Sequence, residues 1–227
     1  MASSNSPNPT LAASQSESQR EKLLNCAERL LRIHGPDGLS IRQLARDGGV
    51  STMGIYTLFG GKPGLMQALY SEGFTRLYEH AAAAEDREYP LKWLIGQMFA
   101  YRRFALGNVG MYRLMFGGEK RFTPADRNSR FSSLTVPIAE AYPSFGALVD
   151  AVAACQRDVD GGGTMPTEEL AFIVWANLHG IISLEIAGYV HEGAALDRFK
   201  NMALFLSGYF SFDRARIEQC LGEGPFQ

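Results

Sequence analysis

The chain has 227 residues, of which 46% are hydrophobic and 20% charged, with a formal net charge of −2. That length and apolar share support one good core, or one core plus a small module. No apolar run of about 18 residues is free of charge, which predicts no membrane-spanning helix; Cys26, Cys155 and Cys220 are too few and too scattered for a disulfide framework or a zinc site and read as small apolar residues in a reducing, cytoplasmic setting.

Residues 1–17 are rich in Ser, Asn and Pro, lack the charged start and apolar centre of a signal peptide, and read as a disordered arm. From about Ser18 to His34, Leu23, Leu24, Ala27, Leu30, Leu31 and Ile33 or His34 recur at helical spacing, and Gly35-Pro36-Asp37-Gly38 ends that helix. Ser40 caps a short second helix built on Leu39, Ile41, Leu44 and Ala45, which Gly48 and Gly49 stop. Ser51 caps a third, with Ile55 and Leu58 or Phe59 facing inward and Thr52, Met53, Tyr56 and Thr57 left outside. Two short helices joined by a glycine turn, the second with small polar residues outward, describe a helix-turn-helix whose second helix enters the major groove. Charge agrees weakly: from Arg20 to Lys62 seven basic residues face four acidic ones, a surplus of three, on an otherwise acidic chain.

Ser40, Gly49-Val50-Ser51, Tyr56 and Phe59-Gly60-Gly61-Lys62, followed by Leu65, together resemble the DNA-binding region of TetR-type transcriptional repressors. The resemblance implies a three-helix DNA-binding domain over residues 18–62, with Arg42, Gln43, Ser51, Thr52, Met53, Gly54, Tyr56, Thr57 and Lys62 at double-stranded DNA. Lys62 then meets a phosphate at the start of the following helix. Two residues depart from the family pattern. Gly48 stands where Ala is usual, and Gly54 lies inside the recognition helix; at roughly 1 kcal/mol of helix propensity each, they predict a helix fully ordered only on DNA.

Lys62-Pro63 opens a longer connecting helix, residues 63–86, through Leu65, Met66, Leu69, Phe74 and Leu77 towards Ala84. Residues 87–220 form a second, C-terminal helical domain. Its first helix spans 89–106, Asn108-Val109-Gly110 interrupts it, and 111–116 makes a short helix before an aperiodic loop at 117–130. A helix follows from about Phe131 to Val159, bent at Pro137 or Pro143 and stopped by Asp160-Gly161-Gly162-Gly163. Thr167 caps a helix reaching about His191, with Glu168 and Glu169 suited to the dipole. A final helix runs from about Ala194 to Ile217, and 221–227 is a tail. No β alternation appears, so the fold class is all-α.

The middle helices concentrate adaptable and aromatic side chains, which predicts a pocket for a small apolar effector. Its candidate residues are Trp93, Met98, Phe99, Arg102, Tyr112, Met115 and Phe116, with Trp175 and His179 from a later helix; Arg102, Arg103 or Arg113 would fix a polar end of the ligand. Trp175-Ala176-Asn177-Leu178-His179-Gly180 and Tyr112-Arg113-Leu114-Met115-Phe116-Gly117 resemble a Trp-His-Gly subgroup of TetR C-terminal domains. His179 itself reads as a hydrogen-bonded core histidine. The last two long helices carry more apolar surface than one subunit needs. The small stripe Ala176, Gly180, Ser183 and Ala187, with Phe199, Ala203, Leu206 and Phe210, predicts a homodimer through a four-helix bundle. With no cofactor loop, nucleophile motif or acid pair, the expectation is a non-enzymatic, cofactor-free regulator. It would be a dimeric repressor on a palindromic operator; the alternative is a small-molecule binder of the same fold with little specific DNA binding.

Overall fold

The computed structural model describes residues 9–117, 142–158, 165–210, 212 and 214–222. Among these the chain forms ten helices and no strand: α1 Pro9–Gly38, α2 Ile41–Asp47, α3 Thr52–Phe59, α4 Lys62–Ala82, α5 Pro90–Gly107, α6 Val109–Phe116, α7 Pro143–Arg157, α8 Thr167–Ile186, α9 Glu192–Tyr209 and α10 Arg214–Gly222. The sequence-predicted loop after Gly117, the first part of the helix from Phe131 and the stop at Asp160–Gly163 lie outside the described residues. The chain divides into two compact units. One comprises residues up to Gly73 together with α6 from Gly110; the other takes Phe74–Val109 and everything from α7 onward.

In the first unit, α1 packs on α2 and α2 on α3. The stripe Leu23, Leu24, Ala27, Leu30 and Leu31 is buried, as its spacing demands, whereas Ile33 points out, 71% exposed. The helix starts at Pro9 instead of near Ser18, and its geometry breaks at Gly35, whose φ of 68° and ψ of 178° only glycine tolerates well. The stretch before Ser18 has no apolar stripe, but Ala12, Ala13, Gln15 and Glu17 are good helix formers and extend the periodic segment. α6 belongs to this unit, and glycines set its approach. A Cβ on Gly110 would stand 2.6 Å from the Leu31 carbonyl oxygen, and one on Gly73 2.6 Å from the Met115 sulfur. At Gly110 the α6 backbone meets the α1 backbone, and at Gly73 the methionine side chains of α6 pack onto the α4 backbone.

In the second unit, α5 packs on α7, α8 and α10, α7 on α8, and α8 on α9. The Gln97 amide donates to the Ala147 carbonyl at 3.0 Å, joining α5 to α7. Thr167 does not cap α8: Pro166 occupies that position, and the Thr167 hydroxyl donates instead to Gln156 Oε1 of α7 at 2.6 Å. The predicted last helix is two helices. The first ends at Tyr209 and the second starts at Arg214, and Phe210 and Phe212 between them are both buried.

Candidate nucleic-acid interface and effector body

The first unit presents α2, a tight turn and α3. Ser40 Oγ accepts from the Gln43 amide at 3.5 Å, and Ser51 Oγ accepts from the Gly54 amide at 3.1 Å. Each helix thus has one of its orphan N-terminal donors satisfied. Gly49, with φ 67°, makes the turn, and Gly60, with φ 71°, ends α3 in the left-handed region. Ile55 and Phe59 are buried, and the Arg20 guanidinium sits 5.5 Å from the Phe59 ring centre. Anchored on that side, α3 turns its other side outward: Met53 is 71% and Tyr56 56% exposed, with Thr52 and Thr57 exposed beside them.

The two departures from the family pattern have structural reasons. Gly48 lies in the turn and not in a helix; a Cβ there would come 2.5 Å from Leu23 Cδ2 and 2.9 Å from the Leu44 carbonyl oxygen. Gly54 sits inside α3, which is regular and capped at both ends. Gly61, at φ 98°, holds the Tyr56 ring: a Cβ there would lie 2.8 Å from its Cε1. Gly64 lets α4 start hard against α3, since a Cβ would fall 1.6 Å from the Phe59 carbonyl oxygen.

Several candidate DNA contacts already have partners within the chain. Lys62 Nζ donates to the Asp37 carbonyl at 3.3 Å, tying the α1 end to the start of α4 and leaving two of its protons for a phosphate. Gln43 Nε2 lies 3.4 Å from His34 Nε2. The Thr57 hydroxyl donates to the Met53 carbonyl at 3.0 Å. Arg42 is exposed on α2.

The predicted effector residues are split between the two units. Tyr112, Met115 and Phe116 belong to α6 in the DNA-binding unit, where the Tyr112 and Phe116 rings stack at 5.0 Å, and not to the C-terminal body. Their register was legible, but the unit to which a helix of eight residues docks is decided by Gly73 and Gly110, which composition does not reveal. Trp93, Met98, Phe99, Arg102, Trp175 and His179 do fall in the second unit. There Phe99 meets Phe199 at 5.6 Å, and Trp175 lies 6.1 Å from His179.

Two polar pairs went unforeseen. Arg102 grips Glu185 of α8 through both Nε, at 3.0 Å, and Nη2, at 2.5 Å, with both side chains largely buried. Arg102 therefore has its charge matched inside the fold and is not a free cation for a ligand. The Tyr101 hydroxyl lies 3.2 Å from His179 Nδ1, and burial holds the His179 pKa below its usual 6.5. It is hydrogen-bonded, as the sequence implied, but half-buried and not in the core. No signal on one helix links Glu185 to Arg102, 83 residues away. Trp93 is 4% exposed, and its Nε1–H finds no acceptor among the described residues.

The assembly face also needs correction. Phe199, Ala203 and Phe210 are buried within the subunit and cannot meet a partner, and the Leu206 side chain lies outside the described residues. On α9 it is Phe205, 76% exposed, that points away. On α8, Ala176 and Gly180 are exposed and Ser183 half-buried, with Phe172, Ile173 and Leu184 also outward, and Ala187, just past its end, is exposed. Among the described residues α8 alone is long and apolar enough to cross a membrane by length and composition when up to two charges are allowed; its uncharged run stops at Glu169 and Glu185, short of the run of about 18 that the sequence reading required. Among the described residues no group of His, Cys, Asp and Glu is placed to hold a metal ion.

The profile described as "Bacterial regulatory proteins, tetR family" matches residues 23–69, and "Tetracyclin repressor-like, C-terminal domain" matches residues 94–205. HTH-type transcriptional regulators of Mycobacterium tuberculosis and Mycobacterium bovis are each 24% identical over 74% of this chain and 80% of their own. Among solved structures, a protein of unknown function from Rhodococcus sp. RHA1 aligns over 85% of this chain and 94% of its own, with TM-score 0.67 and 26% identity. The TetR family regulator PfmR from Thermus thermophilus aligns over 71% and 84%, with TM-score 0.53 and 19% identity, which speaks for the fold. One profile fits the unit that carries the exposed α3 and the other fits the helices that follow, so the chain belongs to the TetR family of transcriptional regulators.

Proposed function

We propose that this regulator is a homodimeric repressor that leaves a palindromic operator when a small, largely apolar effector binds its C-terminal body. The Trp175–Gly180 run favours the Trp-His-Gly subgroup for that body. The outward face of α3, with Met53 and Tyr56 exposed on a helix capped by Ser51, supports base contact. The small and apolar outward face of α8 with Phe205 of α9 supports pairing through these two helices, and accounts for an apolar helix left mostly uncovered. α4 is shared, its first half in one unit and its second in the other. A shift of α4 would change the distance between the recognition helices from the roughly 34 Å that successive major grooves require.

The observation that carries the effector reading is Trp93. A buried indole N–H without an acceptor costs about 1–3 kcal/mol, a cost that a ligand acceptor removes. With Arg102 already neutralised by Glu185, the effector is neutral, apolar and bears one acceptor placed for Trp93. The test is operator affinity of wild type and Trp93→Phe across a panel of neutral apolar compounds with and without a carbonyl. Effective compounds should weaken wild-type binding a hundredfold, about 2.7 kcal/mol of coupling, and lose roughly tenfold in potency on Trp93→Phe. A panel in which no compound alters DNA binding removes effector control.

A further inference from the structure

The eight residues of α3, Thr52-Met53-Gly54-Ile55-Tyr56-Thr57-Leu58-Phe59, include no Arg, Lys, Asn, Gln, Asp or Glu. The side chains that recognise guanine, adenine or cytosine by paired or charged hydrogen bonds in the major groove are therefore missing from this helix. The outward side chains are a methyl-bearing Thr52, a thioether at Met53, the Tyr56 ring and Thr57. At 3.6 residues per turn these four positions span an arc of about 140°, a single face. Thr57 narrows the choice further. Its hydroxyl is spent on the Met53 carbonyl at 3.0 Å, so its methyl is what it has left to offer. Ser51 serves as the cap, so the hydroxyls of Thr52 and Tyr56 are the ones this face keeps. The candidate strong hydrogen-bonding side chains Arg42 and Gln43 lie on α2, the helix that crosses the phosphate backbone in this motif, and Gln43 is turned to His34.

From this we infer that α3 reads its operator chiefly through the C5-methyl groups of thymine and not through paired or charged hydrogen bonds to base edges. Met53 and Thr57 supply the apolar contacts, Thr52 and Tyr56 flank them, and Arg42 and Lys62 hold the phosphates. Thymine is the one ordinary base that shows a methyl in the major groove. The inference rests on the placement of α3 at the bases, and its test separates the two.

The full-length protein is used to select operators from a random duplex pool, and the selected duplex is then resynthesised with deoxyuridine for thymidine in both half-sites. That change removes the methyl and leaves every hydrogen-bonding group and phosphate in place. Each methyl lost should weaken binding roughly fourfold, from about 0.8 kcal/mol per buried carbon and 1.4 kcal/mol per tenfold, and four of them by about two hundredfold. Replacing a contacted T·A pair by 5-methylcytosine·G should bind better than plain C·G. Thr57→Ser, which keeps the hydroxyl bond and drops the methyl, should lose about fourfold on the thymine operator and nothing on the uracil one. Equal binding of thymine and uracil operators, or selection of a G·C-only core, overturns methyl reading and leaves α3 a base reader by other means. Failure to select any sequence overturns the placement of α3 itself.

Discussion

At the residue scale, glycines decide what the site can be. Gly61 and Gly54 stand close together in sequence and make opposite demands. A Cβ at Gly61 strains a φ of 98° and strikes the Tyr56 ring, whereas one at Gly54 meets Ser51 Oγ at 3.6 Å and Val50 Cβ at 3.8 Å, ordinary contacts. Gly61→Ala should cost about 1–3 kcal/mol of stability and displace Tyr56. Gly54→Ala should gain about 1 kcal/mol from helix propensity. Denaturant titration of both variants reads the difference; a destabilised Gly54→Ala would mean that α3 is strained in a way these contacts do not reveal. His179 offers a second check. Because its folded pKa lies below 6.5 through burial, the unfolded chain takes up its proton first as pH falls. Its contribution is full above pH 6.5 and is lost as pH drops below that towards the lowered value. The pH slope of stability in that window should be shallower in His179→Gln; identical slopes in the two proteins would contradict a desolvated His179. The caps at Ser40 and Ser51 and the inward Ile55 and Phe59 were legible because they are local, set by neighbours within four positions. Arg102–Glu185 and Tyr101–His179 were not, because each joins helices far apart in sequence.

At the scale of elements, periodicity placed the helices well and assigned their faces poorly. Leu23 to Leu31 read correctly because one stripe has one side to bury. α9 has two apolar sides, and sequence alone does not say which is spent inside the subunit: Phe199, Ala203 and Phe210 went in and Phe205 went out. The break between α9 and α10 was missed although Gly208 stands in the last turn of α9, because the apolar spacing runs on through Phe210 and Phe212. α8 carries the prediction for this scale. A Cβ at Gly180 meets nothing within 4 Å, so Gly180→Glu fits the isolated subunit and adds helix propensity. By sedimentation, wild type should be a dimer at micromolar concentration and Gly180→Glu a monomer with unchanged helicity. A wild-type monomer would remove the pairing argued from the exposed face of α8.

At the scale of the whole molecule, the all-α architecture and the order of helix-turn-helix then helical body followed from spacing and glycine punctuation. The division into units did not, since it runs through the middle of α4 and returns α6 to the DNA-binding unit. Close approach at Gly110, to the Leu31 backbone, and at Gly73, to the Met115 side chain, goes with that division, and a glycine in a helix looks the same whether it admits a neighbour or merely weakens the turn. The account's central claim is that two copies of the chain set two α3 helices into successive major grooves and read bases there. Hydroxyl-radical footprinting on a selected operator, with wild type and Thr52→Ala, tests it most directly. The account predicts two protected half-sites about 34 Å apart on one face of the duplex, and, in the variant, a change in base preference at one position of each of about fourfold, the scale of one methyl contact. Protection without fixed register, or a Thr52→Ala footprint and base preference identical to wild type, would contradict it.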